Sequence, residues 1–348
     1  MPSSADPRRH RDGWPALGAL GLVSLAIQLP FLRRGLSIHD EGSILAIAEA
    51  LSRGEVLYRD RLTTIAPLTY ELLGALFDVF GPSFLLARIL MMGIFSACVV
   101  LGYSVLRRVA SRRAALTGAL ALLALKPIAF HVGTMLNYSQ VAVALALVAV
   151  LLGVRFFERR RLGVLFAAGV FAGATLLSKL NFGGALGLAL GIAVGADWLR
   201  EPARRSGALV RRGCTLGAGA LAPVALAVGF YATHGAAGAF LDQSIVRVVI
   251  QRASYWTPLP SLAPWAFPSG PGMNAYLYFP APIFSLGWHG TLDFTSIPLV
   301  FAIEILVKAA YYVPVLLMGL GVAQAIATRT VNRSDWSARV LLVALAAG

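Results

Sequence analysis

The stretch LGVLFAAGVFAGATLLS, from Leu162 to Ser178, contains no charged side chain. Three arginines precede it, and Lys179 follows it directly. A helix of about 20 mostly apolar residues crosses the hydrocarbon core of a bilayer, so this stretch predicts a membrane span. Similar windows along the chain predict eight spans and a fragment of a ninth. They are Trp14–Leu32, Phe84–Leu106, Ala114–Phe130, Gln140–Phe157, Leu162–Ser178, Phe182–Leu199, Cys214–Tyr231 and Ile297–Ala327, with the fragment beginning near Trp336.

The composition agrees with a chain that crosses a membrane several times. Of its 348 residues, 58% are hydrophobic and 13% are charged, and the mean hydropathy is +0.74. A soluble domain carries roughly 25% charged residues, so a soluble fold is excluded. The predicted fold class is an all-α polytopic membrane protein of about 8–9 transmembrane helices, forming one domain over residues 1–348. Because the ninth apolar run stops at Gly348, we expect the chain to be truncated at its C-terminus.

The formal charge of +14 follows the predicted topology. Nineteen of the 30 lysines and arginines lie before span one or at and after the ends of spans two, four, six and eight. Loops rich in arginine stay in the cytoplasm, which places the N-terminus there and makes a nucleic-acid partner unnecessary. A cleaved signal peptide is the alternative interpretation of the first span. Arg33 and Arg34 follow that span where a small-residue cleavage site would lie, so we expect an uncleaved helix.

Two long loops lie on the predicted outer side: the first long loop, residues 33–83, and the second long loop, residues 233–296. The first long loop holds seven acids and five arginines, and its periodicity predicts two amphipathic surface helices. One begins near Asp40 and ends near Gly54, with apolar residues at Ile44, Ile47, Ala48 and Leu51. The other runs from Pro67 to Gly81, with an apolar stripe of Leu68, Leu72, Ala75, Leu76 and Val79.

Asp40 has two interpretations at this point. An aspartate at the start of a helix accepts hydrogen bonds from free backbone N–H groups and faces the positive end of the helix dipole. The same carboxylate is also a candidate general base, with His39 and Glu41 beside it. The residue pattern alone leaves both interpretations open.

The motifs that follow add information about this pair. Asp40-Glu41 is followed about 25 residues later by Ala66-Pro67-Leu68-Thr69-Tyr70, and then by Phe80-Gly81 and Ala87-Arg88. This order resembles the first outer loop of the GT-C glycosyltransferases, above all the bacterial protein O-mannosyltransferase and aminoarabinose transferase group. The resemblance is strong over residues 36–90 and extends weakly, through the alternating topology, over the remaining chain.

The resemblance implies a GT-C-like bundle in a bacterial inner membrane, with an active site facing outside. It implies inverting transfer of a sugar from a polyprenyl phosphate to an acceptor hydroxyl. The sequence indicates no cofactor and leaves a divalent metal open. The implied partners are the lipid-linked donor, a protein, lipid or glycan acceptor, and membrane lipids. The family's catalytic base corresponds to Asp40, with Glu41 as its neighbour. The family's second acid falls at Asn137 or Tyr138, which carry no charge, and its Lys-Pro-Pro-Leu is Ile65-Ala66-Pro67-Leu68 here.

Cations on the predicted outer side are candidates for the donor phosphate, because they stabilise charge that develops on the leaving group. They are Arg59, Arg61, Lys179, Arg247 and Arg252, and each also fits a contact with a lipid headgroup. Lys179 stands out because it lies at the end of span five. Tyr70 completes the predicted substrate-binding residues. The prolines and aromatic residues of the second long loop predict either an interfacial belt or a lid over the site.

Two other functions remain open. A transporter or flippase typically has paired halves and charges at the midplane of the membrane, whereas the acids here concentrate in one loop. A polysaccharide polymerase or ligase also uses lipid-linked sugars but lacks the early Asp-Glu loop. Glu304 and Lys308, four residues apart in span eight, predict an intrahelical ion pair rather than a substrate contact. The sequence therefore favours an enzyme and leaves its sugar and acceptor open.

Overall fold

The computed structural model describes residues 14–34, 40–128, 134–201, 206–248, 250, 336–338 and 340–342. Most of this part of the chain is helical. The helices are α1 Trp14–Gln28, α2 Asp40–Ser52, α3 Leu68–Phe80, α4 Phe84–Val109, α5 Arg112–Ile128, α6 Tyr138–Arg159, α7 Leu162–Ser178, α8 Leu180–Leu199, α9 Ser206–Thr233 and α10 Ala237–Leu241. A 3-10 turn, Leu29–Phe31, extends α1, and a π-helix, Asp242–Val246, follows α10.

The helices confirm an all-α polytopic membrane protein. Four of those described are long and apolar enough to cross a membrane, and two shorter ones are also apolar. The long ones are Phe84–Arg108, Tyr138–Arg159, Leu180–Leu199 and Ser206–Thr233, and the shorter ones are Pro15–Phe31 and Leu162–Ser178. Together with α5, these helices coincide with the first seven predicted spans. The eighth predicted span, with Glu304 and Lys308, lies outside the described residues, as does the second long loop beyond residue 250.

The ends of the helices that carry arginine clusters meet on one side, which we call the arginine end. Arg108 near the end of α4 pairs with Glu158 of α6. Arg160, which follows α6, and Arg212 of α9 both pair with Asp197 near the end of α8. The ion pairs therefore bring these helix ends together, as the alternation of arginine clusters predicts.

Asp197 is the centre of this end. Its side chain is fully buried, and its second carboxylate oxygen accepts a hydrogen bond of 2.9 Å from Ser337. Leu341 is also fully buried, in the cluster that includes residues of α6, α7 and α8. One carboxylate thus connects α8 to α9, to the residue after α6 and to the helical residues near 336–342.

The opposite side, which we call the loop end, carries α2 and α3. The predicted apolar residues of α2 face the protein, since Ile44 and Ala48 are buried. In α3 the predicted stripe is mostly exposed, and the packed face is formed by Thr69, Tyr70, Leu73, Gly74 and Phe77. Both faces of α3 are rich in apolar side chains, so periodicity identifies the stripe but not the face that packs. The exposed stripe is the surface that a surrounding membrane would cover.

Helices α7 and α9 pack with their backbones in direct contact. A Cβ atom placed on Gly173 would lie 2.1 Å from the carbonyl oxygen of Ala220, and one on Gly219 would lie 2.2 Å from that of Phe166. Small residues allow membrane helices to approach this closely and gain van der Waals contacts. The glycines therefore set the distance between α7, which precedes Lys179, and α9, which leads into the second long loop.

We expect Gly173→Ala to lower the stability of the purified protein, because the new methyl group must displace the α9 backbone. Overpacking of this kind costs about 1–3 kcal/mol, which corresponds to a fall of several degrees in Tm. Gly191→Ala on α8 is the matched control, since nothing lies within 4 Å of a Cβ there. Thermal unfolding in detergent measures both. Equal Tm values for the two variants would show that the α7–α9 contact is not close.

Candidate active site

A buried ion pair stands at the loop end, between α2 and α4. Arg88 donates from Nε and Nη2 to the two carboxylate oxygens of Glu41, at 2.8 and 2.7 Å. The exposed fractions of the two side chains are 1% and 2%. The remaining guanidinium nitrogen donates to the main-chain oxygens of Leu32 and Arg34, at 3.2 and 2.7 Å. One arginine of α4 therefore holds the chain that leaves α1 and the first turn of α2.

Asp40 is the first residue of α2, immediately before Glu41. The position of its side chain lies outside the described part of the structure, so the choice between a helix cap and a base stays a prediction. The carboxylate of Glu41 is already engaged by Arg88 on both oxygens. Of the two acids predicted to be catalytic, Asp40 is therefore the candidate for proton transfer, and Glu41 fixes the turn that carries it.

A second group of polar side chains gathers where α7 meets α8. The hydroxyl of Ser178 donates to the carbonyl oxygen of Tyr138 at 2.8 Å, and so accepts from the hydroxyl of Thr69 at 3.2 Å. Lys179 donates from Nζ to the hydroxyl of Ser139 at 2.9 Å. These five residues, from α3, α6 and the α7–α8 junction, form what we call the Lys179 patch.

The local backbone explains why Lys179 faces this patch. Helix α7 ends at Ser178 and α8 begins at Leu180, and Lys179 between them is extended, with φ −151° and ψ 110°. Its Nζ lies 4.3 Å from the centre of the Phe182 ring and 5.7 Å from that of Tyr138. A cation over aromatic rings is held by their quadrupoles. At such a half-buried site a positive charge attracts an anionic group more strongly than it would in open water.

Asn137 and Tyr70 lie beside the patch with different roles. Asn137 caps α6, because its side-chain oxygen accepts from the backbone N–H of Ser139 at 2.7 Å. Tyr70 is buried, and burial raises its pKa, while a hydrogen bond with Thr63 opposes that shift. Of the predicted substrate-binding residues, the structure thus brings Tyr138 and Lys179 into direct contact, with Asn137 next to Tyr138 in sequence.

The predicted arginines lie elsewhere and are paired with acids. Arg59 pairs with Asp60 and donates to the carbonyl oxygen of His234 at 3.0 Å. Arg61 forms a two-point pair with Glu55, at 2.5 and 2.8 Å. The Arg59 guanidinium and the Val56 N–H together lower the pKa of Asp60 to about 2, so this carboxylate is ionised at neutral pH.

Arg247 follows the same pattern. It pairs with Asp242 of the π-helix at 2.7 Å, on an exposed surface. Arg252 lies outside the described residues. The carboxylate partners of Arg59, Arg61 and Arg247 occupy the hydrogen-bonding positions that a donor phosphate would need. Their assignment to the donor phosphate stays a prediction, as does that of Lys179.

Glu71 is a further acid at the loop end that the sequence analysis does not select. The hydroxyl of Tyr231, near the end of α9, donates to it at 2.6 Å. Burial raises the pKa of Glu71, and this hydrogen bond acts against the rise. In the sequence, the feature that could have identified Glu71 is an acidic residue within a mostly apolar helix. Among the described residues, no group of three His, Cys, Asp or Glu side chains is placed to hold a metal ion.

Comparison with known proteins gives a family match over part of the chain. Residues 64–226 match the family model of dolichyl-phosphate-mannose-protein mannosyltransferases, from the segment before α3 into α9. The matched range includes Tyr70, Arg88, Asn137, Tyr138 and Lys179, and it begins after Asp40 and Glu41. No curated protein and no solved structure matches the chain. The match confirms the resemblance to the GT-C glycosyltransferases and supports a membrane glycosyltransferase of that type.

We expect Glu41→Gln to destabilise the protein by about 3–5 kcal/mol, because it leaves the charge of Arg88 buried without its carboxylate. The double variant Glu41→Gln with Arg88→Met removes both charges and restores part of the lost stability. Glu49→Gln, which breaks an exposed pair with Arg53, is the control and changes stability by less than about 1 kcal/mol. Thermal unfolding in detergent of the wild type, the single variants Glu41→Gln and Arg88→Met, and the double variant gives the coupling free energy between the two positions. Independent effects of the two substitutions would contradict the pairing.

Proposed function

We propose that this chain is an inverting glycosyltransferase that moves a sugar from a polyprenyl phosphate to an acceptor hydroxyl at the loop end, with Asp40 as general base. The observation that carries the proposal is the buried Glu41–Arg88 pair, which fixes the first turn of α2 next to Asp40. The family match supports the glycosyltransferase class on independent grounds.

The proposed reaction is a single displacement. The acceptor oxygen attacks the anomeric carbon from the side opposite the phosphate and forms the new glycosidic bond. The bond between that carbon and the phosphate oxygen breaks, and its electron pair stays on the polyprenyl phosphate. The hydroxyl proton moves to the carboxylate of Asp40. A positioned base typically contributes 10²–10⁴-fold, and attack from the opposite side inverts the configuration.

Lys179 is the proposed contact for the leaving phosphate. Its Nζ lies at the loop end beside the rings of Phe182 and Tyr138, where charges interact more strongly than in water. A lysine acts on phosphate as a point charge and does not need the two-point geometry of arginine. The lipid chain of the donor would stay in the bilayer while its phosphate reaches the level of the α7–α8 junction.

The first substrates to test follow from the matched family, which is named for transfer of mannose from dolichyl phosphate to protein. We therefore propose a mannosyl phosphate lipid as donor and a protein hydroxyl as acceptor, with a lipid or glycan acceptor as the alternatives. The arginine end would face the cytoplasm and the loop end the outer side of a bacterial inner membrane. The proposal requires no metal or organic cofactor.

Asp40→Asn in the full-length protein should reduce sugar transfer by at least about 100-fold, because the amide takes up no proton from the acceptor. Transfer of a radiolabelled sugar from polyprenyl phosphate to membrane acceptors measures the effect. Asp78→Asn, on the exposed part of α3, is the matched control and keeps wild-type activity. Normal transfer by a well-expressed Asp40→Asn protein would exclude Asp40 as the base. Passage of the labelled lipid across vesicles without any product would support a transporter instead.

Lys179→Met should raise the KM for the lipid-linked donor by about tenfold or more, because a charge-assisted contact to the phosphate is lost. Lys179→Arg should recover part of the affinity, since it keeps the positive charge. Arg53→Met, which removes an exposed cation from the first long loop, serves as the control with an unchanged KM. Initial rates over a range of donor concentrations give these values. A donor KM that does not respond to Lys179→Met would remove this residue from the phosphate site.

A further inference from the structure

Gln243 connects the beginning of the second long loop to the first long loop. It lies in the π-helix Asp242–Val246, and only 5% of the residue is exposed. Its amide nitrogen donates to the carbonyl oxygen of Tyr58 at 2.8 Å, and its amide oxygen accepts from the backbone N–H of Thr63 at 3.2 Å. Both ends of one buried amide are therefore bonded to the main chain of a segment about 180 residues away.

The segment that Gln243 holds contains a strained residue. Tyr58 has φ +68°, a left-handed conformation that is uncommon for a bulky side chain and costs of order 1–3 kcal/mol. Further contacts hold it: its N–H donates to the carbonyl oxygen of Arg61, and its hydroxyl donates to that of Ile65. Its ring packs against those of Phe240 and Tyr231. Strain at one residue persists only where several contacts fix it, and Gln243 supplies the contact to the carbonyl group.

This segment leads directly into α3. Ile65, whose carbonyl oxygen is bonded by Tyr58, lies two residues before Pro67, and α3 begins at the next residue. The first turn of α3 carries Thr69, which is hydrogen-bonded to Ser178 of the Lys179 patch. A displacement at Tyr58 or Thr63 would therefore move the start of α3 and change the alignment of Thr69 with Ser178.

The π-helix changes how the side chains at this position are arranged. One extra residue in a helical turn shifts the register of the side chains that follow, and such turns occur frequently at functional sites. Here the π-helix holds Gln243 and Ser244 in buried positions next to each other, although only Gln243 reaches the first long loop. Ser244 donates to the carbonyl oxygen of Phe240, within its own helical segment. The two neighbours thus differ in whether they contact the segment before α3.

We propose that Gln243 is a positioning residue for the donor site. It holds Tyr58 and Thr63 in place, and through the start of α3 it aligns Thr69 with Ser178 next to Lys179. The inference rests on the proposed function in one respect, namely that the Lys179 patch binds the donor phosphate. It adds that the two long loops are structurally coupled, because Gln243 at the beginning of the second holds Tyr58 and Thr63 of the first.

The test compares three full-length variants in detergent: Gln243→Leu, Gln243→Glu and Ser244→Ala. Trypsin cleavage after Arg59 and Arg61 reports whether the segment is held, and binding of a short-chain polyprenyl phosphate reports on the phosphate site. Gln243→Leu should accelerate cleavage at both arginines and weaken binding by about tenfold. Ser244→Ala, the matched control, should match the wild type in both assays.

Gln243→Glu distinguishes positioning from a general loss of packing. When ionised, the new carboxylate accepts from Thr63 but donates nothing to the carbonyl oxygen of Tyr58, so lipid binding is weakened as in Gln243→Leu. When protonated at lower pH, it donates again, so binding should recover for this variant and not for Gln243→Leu. Recovery that depends on pH supports a hydrogen bond to Tyr58, because a merely structural substitution gives no such dependence.

The possible results separate the two proposals. Wild-type protein that binds no polyprenyl phosphate would overturn both the proposed function and the role of Gln243 in it. Wild-type binding that Gln243→Leu leaves unchanged would overturn the positioning role alone. Unchanged trypsin cleavage in Gln243→Leu would also overturn it, because the segment would then be held by other contacts. Faster cleavage with weaker binding, both absent in Ser244→Ala, supports the proposal.

Discussion

The loop end depends on one buried arginine. Arg88 enters a nearly dry environment near the start of α4, and such a charge is costly unless its N–H groups are satisfied. Glu41 supplies a carboxylate, and the chain leaving α1 supplies main-chain carbonyl oxygens. Because these acceptors come from two separate segments and the arginine from a third, the arginine is satisfied only when α1, α2 and α4 are correctly placed. The pair therefore specifies one arrangement of α1, α2 and α4 more than it adds net stability.

The two ends of the bundle bury charges of opposite sign and satisfy them with opposite kinds of hydrogen-bonding group. At the loop end a buried cation collects acceptors, whereas at the arginine end the buried carboxylate of Asp197 collects donors from Arg160, Arg212 and Ser337. Between the two ends, contact depends on shape, with glycines bringing α7 and α9 together. The polar groups at the ends fix the register of helices whose apolar surfaces would otherwise slide, since lipid and side chains are similarly apolar.

The sequence predicts local features such as spans and helix ends, but not the contacts between residues that are far apart in the chain. Hydrophobic length predicts the spans, and Gly81, with φ +81°, ends α3 where the pattern places a stop. The partners of Arg88, Asp197 and Gln243 lie 15 to 185 residues away in sequence, so no local spacing reveals them. By contrast, the ion pairs of the first long loop are predictable from the sequence, because Asp60 lies beside Arg59 and Glu55 lies six residues before Arg61. Nearby acids are a readable sign that a cation is already paired.

Lys179 has different surroundings from the arginines of the first long loop. Its Nζ donates to the hydroxyl of Ser139 and lies over the ring of Phe182, so its position at the α7–α8 junction is fixed. A cation at the end of two apolar helices suits an anion at that depth, and the proposed donor supplies one as its lipid phosphate. The proposed base and the proposed phosphate contact lie on different elements, α2 and the α7–α8 junction. Helix α3 links them, because it packs against α2 through Gly74 and reaches Ser178 through Thr69.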